Sequence, residues 1–147
     1  MELKSNEEKI TRALLVSVDT GEYDAQASLD ELFELVKSAG ADPVLSVTQN
    51  LQKIEKGTFV GTGKLAEIAE ICESQEIDLL VFDSELSPTQ IKNIEAETDV
   101  RVIDRTTLIL DIFAQRARSK EGKLQVELAQ LRYRASRLVG LGASLSR

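Results

Sequence analysis

Histidine is absent from the 147 residues, and cysteine occurs only once. Without histidine, the chain cannot form a Ser-His or Cys-His catalytic pair or a histidine metal site. Cys72 has no internal disulfide partner, and its place on an apolar helical stripe predicts a buried, unreactive thiol. The apolar runs at 13–16 and 79–82 are too short to span a membrane, and the polar start is unlike a signal peptide. We therefore expect a cytoplasmic protein that has no membrane span and no metal site and is not a simple hydrolase.

Charge is unevenly distributed along the chain. Residues 1–104 carry 9 Lys and Arg against 22 Asp and Glu, whereas residues 105–147 carry 9 against 3. The net charges are −13 and +6, which together make the −7 of the whole chain. This split favours an acidic globule followed by a basic element that faces an acidic partner such as nucleic acid, although a solvated basic helix is an equally open interpretation.

Four apolar stretches, at 12–18, 43–49, 79–83 and 100–104, are typical of strands with helices between them. The first and third are nearly continuous, as expected of strands covered on both faces, while Ser46 and Arg101 interrupt the others. We therefore predict an α/β fold with a four-stranded parallel sheet of order 2-1-3-4 and helices on both faces.

Three helices follow from local patterns. An i, i+3, i+4, i+7 stripe at 29–36, with a possible capping box of Ser28 and Glu31, predicts the first. A second stripe spans 65–72, and "SPTQ" at 87–90 predicts a capped start for the third. A short extra strand is predicted within 57–61.

After residue 104, proline is absent from 106–138 and apolar residues recur in steps of four and three. This pattern predicts one long helix, or two with a joint at 119–122, whose apolar seam needs a partner helix. We predict a flexible tail at 1–11, an α/β domain at 12–105, the first arm of a helical hairpin at 106–139 and the start of a glycine-rich tip at 140–147. An unpaired seam also predicts self-association.

The segment "GTGK" at 61–64 raises the question of a phosphate-binding loop. A P-loop needs a glycine five positions before its Gly-Lys pair and a Ser or Thr after it, and Thr58 and Leu65 stand there instead. A glycine turn at a helix start can still bind an anion, but more often it only caps the helix.

Ligands of open parallel sheets bind beyond the carboxyl ends of the strands, where the strand order reverses. Candidate residues for a nucleotide crevice at this edge are Asp19, Gly61, Gly63, Lys64, Asp83, Asp104 and Arg105. Short polar residues at such turns are equally expected as helix caps.

Arginines with one aromatic ring precede the glycines near the end of the chain. Guanidinium groups pair with phosphates, and a tyrosine ring can stack on unpaired bases, which suits structured RNA. The candidate RNA contacts are Arg132, Tyr133, Arg134, Arg137, Gly140, Gly142 and Arg147.

Four stretches resemble the N-terminal region of HflX-type GTPases: "SLDELFELVKSAGA" (28–41), "FVGTGKLAEI" (59–68), "VFDSELSPTQIKNIE" (81–95) and "DRTTLILDIFAQRARSKEGKLQVELAQLRYRASRL" (104–138). They occur in the family's order, and the last is long and specific. The resemblance implies an α/β domain joined by a helical hairpin to a P-loop GTPase domain, with the hairpin tip on ribosomal RNA near the peptidyl-transferase centre.

The resemblance further implies that the large ribosomal subunit, its rRNA and a GTPase domain of the same parent chain are partners, and that the parent splits stalled or idle ribosomes. GTP and Mg²⁺ would belong to that parent, because these residues lack the GTP-binding motifs. Two alternatives stay open: ATP binding or hydrolysis in the α/β crevice, and a scaffold that regulates the GTPase domain without contacting RNA.

Overall fold

The computed structural model describes residues 9–145, with side chains described for 9–136. Strands and helices alternate through this part of the chain. In order they are β1 (Arg12–Asp19), α1 (Ala25–Ser38), β2 (Asp42–Asn50), α2 (Thr62–Ser74), β3 (Leu79–Phe82), α3 (Pro88–Thr98), β4 (Arg101–Asp104), α4 (Arg105–Arg116) and α5 (Lys120–Leu145).

The four strands form one parallel sheet of order β2-β1-β3-β4, as the sequence predicts. Leu14 of β1 pairs in register with Leu80 of β3, which in turn pairs with Val102 of β4. The two central strands are those with continuous apolar sequence, because neighbours and helices remove them from water on every side.

Side chains that alternate along each strand feed two separate cores. On one face, Leu80 and Phe82 pack with residues of α2 and α3, among them Ile68 and Ile94. On the other face, β1 and β3 pack against α1 and α4. Cys72 is buried in the first core, as predicted, and burial raises the pKa of its thiol to about 11.

Helix starts are partly as predicted. Ser87 and Gln90 form the expected capping box at α3. The predicted Ser28 box is wrong, because α1 begins one turn earlier, where the Asp24 carboxylate accepts a 3.0 Å hydrogen bond from the Ala27 amide. Asp24 leaves Ser28 inside the helix, free for another contact.

The predicted strand at 57–61 is wrong as well. Only an isolated antiparallel bridge joins Glu55 to Phe59. Phe59 adopts a positive φ of 66°, which is unfavourable for a side chain of this size. This conformation places its ring in the core, edge-on to Phe82 with 5.7 Å between centroids, so buried apolar area offsets the backbone strain.

The basic segment forms two helices, which is the second of the two predicted alternatives. The chain is extended at Ala117, and the Ser119 hydroxyl then caps α5 by accepting a 2.9 Å hydrogen bond from the Gly122 amide. A Cβ at Gly122 would lie 2.9 Å from that hydroxyl oxygen, so the cap favours glycine there. Helix α5 continues to Leu145, so the predicted glycine-rich tip at 140–147, including Gly140 and Gly142, is helical as far as Leu145.

The predicted tail is described only in part, since residues 1–8 lie outside the described residues. Lys9 is anchored by a 2.7 Å ion pair with Asp78, and this pair, together with the Arg12 amide, lowers the pKa of Asp78 although burial opposes the shift. In the described part of the chain, no helix is long and apolar enough to cross a membrane.

Candidate functional site

Asp83 and Arg105 meet at the carboxyl edge of the sheet. Asp83 follows β3, Arg105 begins α4, and Arg105 Nη2 lies 2.8 Å from Asp83 Oδ1. The Asp83 side chain is only 1% exposed. Arg105 also donates to the Ser28 carbonyl and to Glu31 on α1. These contacts use the guanidinium group to join α1 to the strand ends.

Electrostatics reinforce this pairing. Burial alone would lower the pKa of Arg105, but the hydrogen bonds and charges of Asp83 and Glu31 raise it above its ordinary value. A planar guanidinium surrounded by carboxylates and a carbonyl is a rigid internal connection. An incoming phosphate would have to compete with these internal partners.

Asp104 is a second hub at the same edge and is only 1% exposed. Its Oδ1 accepts a 3.0 Å hydrogen bond from the Thr107 amide and so caps α4. Its Oδ2 accepts from the Leu86 amide at 3.0 Å and from the Tyr133 hydroxyl at 2.6 Å. One carboxylate therefore joins the β3–α3 connection, α4 and α5.

The "GTGK" turn is a helix start. Gly61 is the N-cap of α2, and its amide donates to Gln49 Oε1 at 2.9 Å. Lys64 lies 3.1 Å from Glu67, and a Cβ at Gly63 would meet open space. These residues do not fit a GTP phosphate site, because the Gly61 amide is already bonded and the P-loop positions hold other residues.

Asp19, the remaining crevice candidate, accepts a 2.9 Å hydrogen bond from the Gly21 amide. At this edge, Ser17 Oγ and Asp83 Oδ2 are buried without a hydrogen-bond partner in the described part of the chain. The structure thus brings Asp83, Asp104 and Arg105 to one edge, and the nucleotide crevice stays a prediction. Among the described residues, no group of three or more metal-binding side chains occurs.

Helix α5 presents two different faces. Leu124, Leu128 and Leu131 are 56, 47 and 51% exposed and form an open apolar seam. Gln130 and Tyr133 lie on roughly the opposite side of the helix and contact carboxylates of α4 and of β4. The seam therefore points away from the sheet.

Arg132 and Arg134 flank Tyr133, are exposed, and make no ion pair within the described residues. Tyr133 itself is half-buried and hydrogen-bonded to Asp104, rather than presented as a free ring. The side chains of Arg137 and Arg147 are not among the side chains that the structure describes. The same holds for any contacts of Gly140 and Gly142, so these four RNA candidates stay predictions.

Asp111, which sequence reasoning missed, lies on α4 facing α5. It is 5% exposed, and Gln130 Nε2 lies 3.5 Å from its Oδ1. Burial raises its pKa, while the charges of Arg101 and Arg134 act in the opposite direction. No local sequence pattern indicates these contacts, because Asp111 bonds to Gln130, and Arg105 to Ser28 and Glu31, across long stretches of the chain.

The fold and these contacts define a parallel α/β module that carries a long helical arm with an open apolar seam. Family models described as "GTP-binding GTPase N-terminal" and "GTP-binding GTPase Middle Region" match residues 26–114 and 116–147. The chain belongs to the HflX GTPase family, whose N-terminal region it represents.

Curated relatives support the assignment. The chain is 55% identical over 148 residues to GTPase HflX of Lacrimispora saccharolytica, covering 100% of this chain and 34% of that protein. It is 48% identical to GTPase HflX of Escherichia coli, covering 87% of this chain and 30% of the relative. The chain thus spans about a third of the length of these relatives.

Solved structures show the same architecture. A GTP-binding protein from the hyperthermophilic archaeon Sulfolobus solfataricus in complex with GDP matches with a TM-score of 0.68 and 27% identity over 91% of this chain and 40% of that one. The SsGBP variant G235P matches with a TM-score of 0.71 and 26% identity, over 90% of this chain and 42% of that one.

Proposed function

We propose that this chain is the ribosome-binding region of an HflX-type GTPase and that α5 carries its positive charge to the rRNA of the large subunit. The whole protein would use GTP and Mg²⁺ outside these residues to split stalled or idle ribosomes in the cytoplasm. The curated relatives are named as GTPases, and they support the family part of this proposal.

One observation supports the RNA part most directly. Arg132 and Arg134 are exposed on α5 and form no ion pair among the described residues, and the charge of Arg134 acts on Asp111 only at longer range. Arg105, by contrast, is held by Asp83 and Glu31. Guanidinium groups that internal carboxylates do not neutralise are available to phosphates, and the −13 charge of residues 1–104 would keep the α/β domain from contacting RNA broadly.

The test changes Arg132, Arg134 and Arg137 to glutamine and measures binding to purified large subunits at several salt concentrations. We expect lower affinity and a shallower salt dependence, since duplex nucleic acid loses roughly 0.9 of log-log slope per phosphate contact. Circular dichroism should confirm that helix content is retained.

A matched control changes Arg118, Lys120 and Lys123, at the other end of the arm, to glutamine. It removes the same charge from the same segment. We expect a smaller loss than with the arginine variant. Equal effects of the two variants would indicate general attraction, and unchanged affinity and slope in the arginine variant would contradict the proposed interface.

A second candidate is ATP binding in the crevice, where Ser17 Oγ and Asp83 Oδ2 lack hydrogen-bond partners among the described residues. Asp83 Oδ2 would accept from a ribose hydroxyl or an amino group of ATP, since a carboxylate repels phosphates. Calorimetry of the chain with ATP, compared with Lys64→Ala, tests it, because Lys64 has only a surface ion pair to lose. Equal heats of binding would place any ATP site elsewhere.

The scaffold alternative, in which the chain regulates the GTPase domain without touching RNA, is separated by deleting residues 120–147. The deletion spares α4 because Arg105, the first residue of that helix, pairs with the buried Asp83 of the α/β domain. If the intact chain associates with the subunit and the shortened chain does not, the RNA interface on α5 is supported. If neither chain associates, the scaffold alternative is supported, and full association of the shortened chain would move the contact to the α/β domain.

A further inference from the structure

Tyr133 makes the shortest side-chain hydrogen bond that the described part of α5 forms with the rest of the chain. Its hydroxyl donates to Asp104 Oδ2 at 2.6 Å. Asp104 is 1% exposed and is itself fixed by the amides of Leu86 and Thr107. A hydrogen bond from a hydroxyl to a carboxylate is among the stronger neutral-to-charged contacts, and this acceptor cannot move independently of the sheet.

Other polar restraints on α5 are weaker within the described residues. The link at 117–119 is extended at Ala117, and the Leu128 side of the helix faces away from the α/β domain. Gln130 reaches Asp111 only at 3.5 Å. Tyr133 also lines a mainly apolar cleft of about 410 Å³ with Leu86 and Pro88, so its side chain faces the α/β domain beside the bond to Asp104.

We propose that Tyr133 is a positioning residue, whose hydrogen bond to Asp104 sets the angle at which α5 leaves the α/β domain. Arg132 and Arg134 are its immediate neighbours, and the same bond therefore fixes the direction in which they point. The consequence for RNA rests on the proposed function, while the positioning of the helix does not.

The length of α5 makes its angle important. Its 26 residues span about 39 Å at 1.5 Å per residue. A tilt of roughly 10° about the link at 117–119 would move the far end by about 7 Å, which is comparable to the spacing between phosphates along a nucleic-acid strand. Small changes near Tyr133 therefore become large displacements at the end of the arm.

The test measures distances in the whole 147-residue chain. Nitroxide labels are placed on cysteines introduced at exposed Glu97 of α3 and Ser136 of α5, and pulsed electron resonance gives the interspin distances. Tyr133→Phe removes only the hydroxyl. Tyr23→Phe is the matched control, because its hydroxyl donates to the Val18 carbonyl at 3.1 Å within the α/β domain.

We expect Tyr133→Phe to shift or broaden the distance distribution by several ångströms and Tyr23→Phe to leave it unchanged. The samples are diluted until sedimentation shows monomers, so that self-association through the seam adds no distances between chains, and circular dichroism should confirm that they are folded. A distribution for Tyr133→Phe identical to that of the unchanged chain would overturn the proposal, and equal broadening in both variants would do so as well.

Binding to large subunits gives an independent readout. Tyr133→Phe should weaken affinity several-fold without changing the salt slope, because no phosphate contact is removed. If the Tyr133 ring instead stacked on a base, phenylalanine would stack equally well and the affinity would be retained. Retained affinity together with an unchanged distance distribution would refute the proposal that Tyr133 positions α5. Altered distances with no effect of the arginine substitutions would sustain positioning and refute the proposed RNA interface.

Discussion

Replacing Arg105 by methionine tests whether Asp83 and Arg105 are a structural pair. Their side chains are 1 and 19% exposed, so neither is strongly screened by water. Removing one partner of a buried ion pair leaves an uncompensated charge and costs about 3–5 kcal/mol. That is a large part of the roughly 5–15 kcal/mol that stabilises a typical domain.

Urea unfolding followed by circular dichroism measures this loss. With a slope of about 1–3 kcal/mol per molar urea, the expected loss lowers the midpoint by roughly 1–5 M. Adding Asp83→Asn to Arg105→Met removes the uncompensated charge, and we expect the double variant to be more stable than Arg105→Met alone. The coupling between the two sites follows from the full double-mutant cycle.

Arg101→Met is the matched control, since Arg101 is exposed and forms no ion pair in the described part of the chain. It should change the free energy of unfolding by no more than about 0.5 kcal/mol. A cost below about 1 kcal/mol for Arg105→Met, or a double variant less stable than Arg105→Met, would refute the view that burial makes this pair structural.

Three further predictions concern the arm and two buried groups. Burying the exposed half of Leu124, Leu128 and Leu131 gains roughly 2–5 kcal/mol per chain, or about 4–10 kcal/mol per dimer. This gain is comparable to the lower part of the roughly 4–15 kcal/mol that association costs, so sedimentation should show at most weak self-association, which Leu128→Gln abolishes without lowering monomer stability. Cys72 should react slowly with a thiol reagent at pH 8 until urea exposes it, because its pKa is raised to about 11; rapid reaction of the folded chain would contradict its burial. Burial raises the pKa of Asp111 in the folded state, so the folded chain holds this proton more tightly than the unfolded chain and its stability falls as pH rises through the folded pKa. Asp111→Asn should therefore stabilise the chain at pH 7. A destabilised variant would contradict this sign.

Local chemistry was sufficient to predict the sheet and most helix positions. A continuous apolar run is buried on both faces only in a central strand, whereas an interrupted run is typical of an edge strand. This reasoning predicted the strand order that the structure shows. Ser87, Pro88 and Gln90 form a start signal within four residues, so the α3 cap needed no distant information. The burial of Cys72 likewise followed from its helical stripe.

Local patterns were insufficient where two signals competed or where the partner lay far along the chain. The sequence pattern predicted Ser28 as the cap of α1, whereas Asp24 caps it in the structure and Ser28 contacts Arg105, 77 positions away. The 57–61 segment had the composition of a strand, but Phe59 is buried by leaving strand geometry.

The candidate sites show the same division. Sequence alone determined that Asp83, Asp104 and Arg105 would gather at one edge, because parallel strands end together. Only the tertiary structure decided that Asp83 pairs with Arg105 and that Asp104 accepts from Tyr133, 29 positions later. The reason is physical: a buried carboxylate needs a donor, and which donor reaches it depends on how helices pack rather than on the residues beside it.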